Sequence, residues 1–96
     1  MNITFLDAST VDSRDINFNE IKQFGNLTTH SNSTSKNTAE RIKESEIVIT
    51  NKVILDKEII ETAENLKLIV VSATGYNNID LKSAGDKNVI VCNVVN

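Results

Sequence analysis

The sequence predicts an α/β domain built on a parallel β-sheet. Five short strand-like runs recur along the 96 residues, and segments with helical spacing or capping residues separate them. Alternation of this kind requires crossover connections, which make neighbouring strands parallel. The run Leu68-Ile69-Val70-Val71 is short, continuous and rich in β-branched residues, as expected of a strand buried on both faces. We therefore predict a flavodoxin-like three-layer domain with a five-stranded sheet in the order 2-1-3-4-5.

The chain opens with a predicted strand and a short helix. Ile3–Leu6 is a compact apolar run, and the polar residues after it predict a loop over Val11–Asn17. The apolar residues around Asn19–Phe24 recur at helical spacing, so we predict a helix there. Gly25 follows and suits the position just past a helix C-terminus.

Weaker signals predict the second strand and the second helix. Asn26–His30 has few apolar residues and suits a sheet edge, and a polar loop over Ser31–Lys36 follows it. Asn37-x-x-Glu40 has the form of a capping box with Asn37 in the cap position, and it predicts a helix that continues to Lys43. The residues of this part predicted to face the core are Ala39, Ile42 and Ser45.

The second half of the chain carries stronger signals. Asp56 and Asp80 are good N-cap residues, and they precede helices predicted over Lys57–Asn65 and up to about Lys87. Asn88 suits the left-handed position that ends the later helix. The predicted buried stripes are Ile59, Ile60 and Ala63 in the first of these helices and Leu81 and Ala84 in the second. The remaining predicted strands are Glu46–Thr50, Lys67–Ser72 and Val89–Cys92.

Composition and charge exclude several classes of protein. The formal net charge is −3 and the sequence shows no basic face or tail, which argues against a nucleic-acid binder. No apolar run approaches the ~20 residues of a membrane span, and the opening residues lack the pattern of a signal peptide. The single cysteine, Cys92, excludes an intrachain disulfide and suits a reducing environment, so we expect a cytoplasmic protein.

Most catalytic and cofactor motifs are missing. The sequence contains neither G-x-G-x-x-G nor a P-loop pattern, and one histidine with one cysteine cannot form a zinc site. His30 lies on the predicted edge strand and is favoured as a surface residue over a catalytic base. Cys92 alternates with valines, as a packed core thiol would. Asp7 and Asp80 are candidate functional acids, although loop-fixing and capping roles are favoured for them.

The strongest candidate site follows the fourth strand. Ser72-Ala73-Thr74-Gly75 is a turn of small residues at the carboxyl end of a buried strand, where α/β proteins place ligands. Successive backbone N–H groups in such a turn suit an anion such as a carboxylate, but a purely structural turn explains these residues equally well. Lys52, in the turn Asn51-Lys52 after the third strand, is a second candidate for contacting an anion.

Three segments of the chain resemble the N-terminal region of the D-isomer-specific 2-hydroxyacid dehydrogenases. They are ITNKVIL at Ile49–Leu55, KLIVVSATGYNNIDLKSA at Lys67–Ala84 and VIVCNVVN at Val89–Asn96, with G-x-x-N-I-D at Gly75–Asp80. The glycerate dehydrogenase / hydroxypyruvate reductase branch is the most similar. The resemblance implies that residues 1–96 are the N-terminal segment of a substrate domain, that the Rossmann NAD domain is absent, and that the chain is cut before it.

The resemblance also implies a reaction and a site. The family transfers a hydride between NAD(H) and C2 of a 2-hydroxy or 2-oxo acid. The turn matching Ala73-Thr74-Gly75 gives main-chain N–H groups to the substrate carboxylate, and the turn matching Asn51-Lys52 lines the substrate side of the cleft. The arginine, glutamate and histidine of the family's chemistry match nothing here. No catalytic, cofactor-binding or metal residue is therefore expected in these residues, and the chain alone is expected to be inactive and to dimerise or self-associate.

Two other interpretations of the sequence stay open beside this one. A receiver domain has the same architecture, but it needs a phosphorylatable aspartate where the third strand here ends in Thr50-Asn51. A stand-alone flavodoxin-like module that binds a carboxylate at Ser72–Gly75 agrees with all of the residues.

Overall fold

A computed structural model describes residues 1–11, 18–72 and 75–93 of the chain. In these ranges five strands form one parallel sheet in the order β2-β1-β3-β4-β5, which confirms the predicted architecture. The predicted loop over Val11–Asn17 lies, apart from Val11, outside the described residues. The strands are β1 (Asn2–Phe5), β2 (Asn26–Thr29), β3 (Ile47–Thr50), β4 (Leu68–Val71) and β5 (Ile90–Asn93). The helices are α1 (Phe18–Lys22), α2 (Thr38–Ile42), α3 (Lys57–Thr62) and α4 (Leu81–Asp86), and a 3-10 turn covers Ala8–Thr10.

One face of the sheet is covered by helices. Val48, Ile69 and Val71 on this face are buried and pack in one cluster with side chains of α2, α3 and α4. Burying one aliphatic side chain of this size contributes about 1.5–3 kcal/mol, so this cluster is the main source of stability. The cluster contains Ile42, Ile59, Ile60 and Ala84 of the helices and Ala63 directly after α3, as predicted.

The opposite face is covered only in part. Phe5 in β1 is fully buried, and Ile21 of α1 packs in the same cluster. The register pairs Ile49 with Val70 and Val70 with Cys92, so these residues stand side by side on this face. The burial of the side chains decreases from Phe5 in β1 to Cys92 in β5, because the described helices leave the β4–β5 side of this face open. We call the four apolar residues of that side the open strip: Leu68, Val70, Ile90 and Cys92.

The open strip contradicts one prediction. Cys92 was predicted to be a packed core thiol, but its side chain is exposed. Ile90, two residues before it on the same face, is 67% exposed. Cys92 does alternate with valines along β5, as predicted. However, β5 is an outer strand, and among the described residues only its other face, which carries Val91, packs on the helix-covered cluster.

Two predictions at helix N-termini are also wrong. Asn37 directly precedes α2, but it makes no capping bond to the helix; its Oδ1 instead accepts from the Thr34 N–H at 2.8 Å. Ala84 is the buried residue of α4, whereas Leu81, predicted to face the core, is 51% exposed. Ile79, which bridges to Leu55, is buried in its place.

Gly25 and Asn88 mark two special backbone positions. A Cβ at Gly25 would lie 2.1 Å from the carbonyl oxygen of Met1, so glycine is needed there for close approach rather than for a left-handed conformation. Asn88 has φ 61° and ends α4 in the left-handed conformation, as predicted.

Candidate functional site

The carboxyl ends of three neighbouring strands meet at one edge of the sheet. Asp7 follows β1, the turn Asn51-Lys52 follows β3, and the turn Ser72–Gly75 follows β4. Because β3 lies between β1 and β4, these segments are adjacent in space. Ala73 and Thr74 lie outside the described residues, so Ser72 and Gly75 represent the predicted carboxylate-binding turn in the structure.

Asp7 fixes the turn after β3. Its side chain is 2% exposed, and its two carboxylate oxygens accept from two successive backbone donors, the Asn51 N–H at 2.8 Å and the Lys52 N–H at 2.7 Å. Hydrogen bonds to a charged group contribute about 1.5–3 kcal/mol each, roughly twice the value for neutral pairs. Asp7 therefore has the loop-fixing role that sequence reasoning favoured, with both oxygens occupied.

These bonds decide what the turn offers to a ligand. The backbone N–H groups of Asn51 and Lys52 already donate to Asp7, and the Asn51 Nδ2 donates to the carbonyl and hydroxyl oxygens of Thr10 at 3.3 and 3.0 Å. Asn51 keeps only its Oδ1, an acceptor that cannot pair with a carboxylate. Lys52 is exposed, and its ammonium bonds to no other described residue. The Lys52 ammonium is therefore the group of this turn that suits an anion.

The loop after Gly75 is bonded to the loop after β3. The Leu55 N–H donates to the Asn78 carbonyl at 2.8 Å, and the Asp80 N–H donates to the Leu55 carbonyl at 2.9 Å. The Asn78 Nδ2 adds a bond to the Val53 carbonyl at 2.9 Å. With Leu55 fully buried beneath them, the two loops form one frame.

Gly75 lies in open space within this frame. It is exposed, its φ is not positive, and a Cβ built on it would meet no atom within 4 Å. Neither backbone conformation nor packing among the described residues requires glycine at this position. Access of a ligand to the backbone is a role that glycine would serve there.

Tyr76 connects this frame to β5, a contact that sequence reasoning missed. Its hydroxyl group donates to the Asn93 Oδ1 at 2.6 Å, and its ring packs against the helix-covered cluster. The two residues are 17 positions apart, and Tyr76 occupies an unspecified position of G-x-x-N-I-D. The available signals in the sequence were the position of Tyr76 within Gly75–Asp80 and the position of Asn93 directly after a predicted strand.

The other candidate acids and the histidine have different surroundings. Asp80 caps α4, and the hydrogen bond from the Ser83 N–H, 3.1 Å long, holds the pKa of its carboxyl group below the ordinary value. His30 follows β2, which is separated from β3 by β1. Partial burial, with a smaller contribution from Arg41, lowers the pKa of the His30 imidazole and favours its neutral form at pH 7.

Two further kinds of site were sought in residues 1–11, 18–72 and 75–93. This part of the chain contains no group of three or more His, Cys, Asp or Glu side chains that could hold a metal ion. None of its helices is long and apolar enough to cross a membrane.

The chain matches a known family over nearly its whole length. Residues 4–96 match the family model described as D-isomer specific 2-hydroxyacid dehydrogenase, catalytic domain. The chain belongs to the D-isomer specific 2-hydroxyacid dehydrogenases. The resemblance found in the sequence is thereby confirmed, and the chain is a member of an oxidoreductase family that acts on 2-hydroxy acids.

Individual dehydrogenases show the same relationship. A Haemophilus influenzae protein named as a 2-hydroxyacid dehydrogenase is 39% identical over 94 residues, which cover 98% of this chain and 30% of that protein. The hydroxypyruvate reductase of Blautia hydrogenotrophica is 29% identical over 97 aligned positions, 98% of this chain and 30% of the reductase. The NAD+-bound 3-phosphoglycerate dehydrogenase of Entamoeba histolytica superposes with a TM-score of 0.82 at 24% identity, covering 97% of this chain and 32% of that one. The chain thus spans about 30% of the length of these relatives.

Proposed function

We propose that residues 1–96 are the substrate domain of an NAD-dependent oxidoreductase. The reaction is hydride transfer between NAD(H) and a 2-hydroxy or 2-oxo acid of the D-glycerate/hydroxypyruvate type. One observation carries the proposal: a Lys52 ammonium that has no partner among the described residues and an open Gly75 backbone lie on one frame at the carboxyl edge of the sheet. The relative named hydroxypyruvate reductase supports the choice of substrate.

The proposed site binds the carboxylate of the substrate. The Lys52 ammonium supplies the positive charge, and the main-chain N–H groups of Ala73, Thr74 and Gly75 supply hydrogen bonds of the kind that converge on anions. Asn51 lines the same side of the cleft but donates to Thr10, so its role is to hold the turn. The site is exposed to water, and we expect binding in the millimolar range until a second domain closes over it.

The described residues do not fit the NAD cofactor itself. A dinucleotide pyrophosphate binds free N–H groups at a helix N-terminus that follows a glycine-rich turn. Here the side chains of Asp56 and Asp80 already accept from N–H groups at the starts of α3 and α4, and their negative charges would repel a phosphate. We therefore propose that NAD binds outside residues 1–96 and that these residues bind the substrate without reducing it.

The alternative functions make different demands on the same edge. A receiver domain needs an aspartate where Thr50-Asn51 ends β3, and Thr50 is fully buried with its hydroxyl oxygen accepting from the Val53 N–H. A stand-alone carboxylate-binding module would use the same groups as the dehydrogenase. It differs in that joining the chain to the remainder of a relative would restore no hydride transfer.

Replacing Lys52 with methionine tests the role of the ammonium. We expect the dissociation constant of hydroxypyruvate to rise about three- to fivefold, the effect of losing one exposed ion pair of about 1 kcal/mol. Titration of the ¹⁵N-labelled chain followed by NMR measures the constant. Lys43→Met is the matched control, because Lys43 is an exposed lysine past the C-terminus of α2, toward the other edge of the sheet. Equal effects of the two substitutions would contradict the proposal, and so would steady NADH oxidation by the unmodified chain.

We also propose that the chain self-associates through the open strip. A sheet of parallel strands is stable when both faces are covered, and in a second copy the same four apolar residues would supply the cover. The proposed partners are thus the 2-hydroxy or 2-oxo acid and a second copy of the chain, and we propose neither a nucleic acid nor a membrane as a partner. A single cysteine, Cys92, is consistent with the proposed location in the reducing cytoplasm.

A further inference from the structure

Gly75 has no side chain of its own to hold it in place. Nothing in the described residues lies within 4 Å of where its Cβ would be. The position of its peptide group therefore depends on neighbours that are anchored. Before it, the Ser72 N–H donates to the Thr50 carbonyl at 2.8 Å. After it, the first anchored residue is Tyr76.

Tyr76 is anchored in two ways. Its ring packs against the helix-covered cluster, which fixes how deep the ring lies. Its hydroxyl donates to the Asn93 Oδ1 at 2.6 Å, which ties the far end of the side chain to β5. Asn93 is the last residue of β5 and pairs with Val71, the last residue of β4, so the acceptor stands on a rigid support.

We propose that Tyr76 and Asn93 are positioning residues for the carboxylate site. Their hydrogen bond holds the Gly75 peptide in the orientation in which its N–H group points at the bound carboxylate. This inference rests on the proposed function, since it assigns a purpose to a contact beside the proposed site. Preorganised donors bind an anion more tightly than mobile ones, because less conformational freedom is lost on binding.

The test compares Tyr76→Phe with Thr62→Val in the ¹⁵N-labelled 96-residue chain. Each change removes one hydroxyl donor from a partly buried hydrogen bond, and the Thr62 bond to the Ile59 carbonyl lies in α3, away from Gly75. In Tyr76→Phe we expect the NMR order parameter of the Gly75 amide to fall from about 0.85 to below about 0.6. We expect the dissociation constant of hydroxypyruvate to rise about two- to tenfold, the range for one lost hydrogen bond.

Asn93→Ala completes a double-mutant cycle. If the two residues act through their mutual bond, the double variant binds hydroxypyruvate no more weakly than either single variant. Additive effects, or a Gly75 order parameter in Tyr76→Phe equal to that in Thr62→Val, would overturn the positioning role. If the unmodified chain binds no hydroxypyruvate, the proposed function fails. The Gly75 order parameter then decides separately whether the contact orders the turn.

Discussion

Replacing Asp7 with alanine is expected to destabilise the fold by about 2–5 kcal/mol. The substitution removes a buried carboxylate that accepts from the Asn51 and Lys52 N–H groups, and it leaves both donors without their partner. Each orphaned donor costs about 1–3 kcal/mol. The turn that carries Lys52 also loses its attachment to β1, so hydroxypyruvate binding weakens in the same variant.

Urea denaturation of Asp7→Ala and Asp56→Ala measures this effect against a matched control. Asp56 is also an aspartate whose side chain accepts a backbone N–H, from Ile59 at 3.0 Å, but it is exposed and makes this single bond at the start of α3. Loss of such a cap costs about 1 kcal/mol. If the free energy of unfolding of Asp7→Ala equals or exceeds that of Asp56→Ala, the two buried hydrogen bonds of Asp7 are not what stabilises this edge of the sheet.

Replacing Ile90 with lysine is expected to convert the self-associated chain to a monomer. Ile90 is 67% exposed within the open strip, and covering such a side chain contributes about 1.5–3 kcal/mol. Lysine removes this gain and would bury an unpaired charge at the interface. We expect the dimer dissociation constant to rise about tenfold or more, as measured by sedimentation velocity over a range of concentrations.

Ile54→Lys is the matched control for this experiment. Ile54 is 65% exposed but lies in the loop after β3, outside the open strip. The same substitution there should leave the dissociation constant unchanged. An unmodified chain that stays monomeric at high concentration, or equal dissociation by the two variants, would argue against the strip as the contact surface.

Local signals in the sequence were sufficient for most of the architecture. The alternation of strands and helices predicted the parallel sheet. Asp56, Asp80 and Asn88 marked helix ends correctly, because capping depends on residues three or four positions apart. At Asn37 the sequence placed the start of the helix correctly, but the bond that its side chain accepts comes from the Thr34 N–H and not from α2.

Contacts between distant residues could not be predicted in this way. Cys92 and Leu81 look like core residues in the sequence, and their exposure depends on what covers a sheet face or a helix end. The sequence placed Asn51 and Lys52 at the right edge. Only the bonds to Asp7 and Thr10, which lie 41 to 45 positions away, show that the backbone and side-chain N–H groups of this turn are occupied and that the Lys52 ammonium is the group available to a ligand. The Tyr76–Asn93 bond was missed for the same reason.

The most direct test of the substrate site is a map of hydroxypyruvate binding on the ¹⁵N-labelled chain. The account predicts saturable chemical-shift changes at Lys52, Gly75 and Tyr76, with a dissociation constant of about 1–10 mM, the strength of a few exposed polar contacts. Changes at the opposite edge of the sheet, around Asn2 and Ser45, or no saturable change at ~100 mM ligand, well above that range, would contradict it.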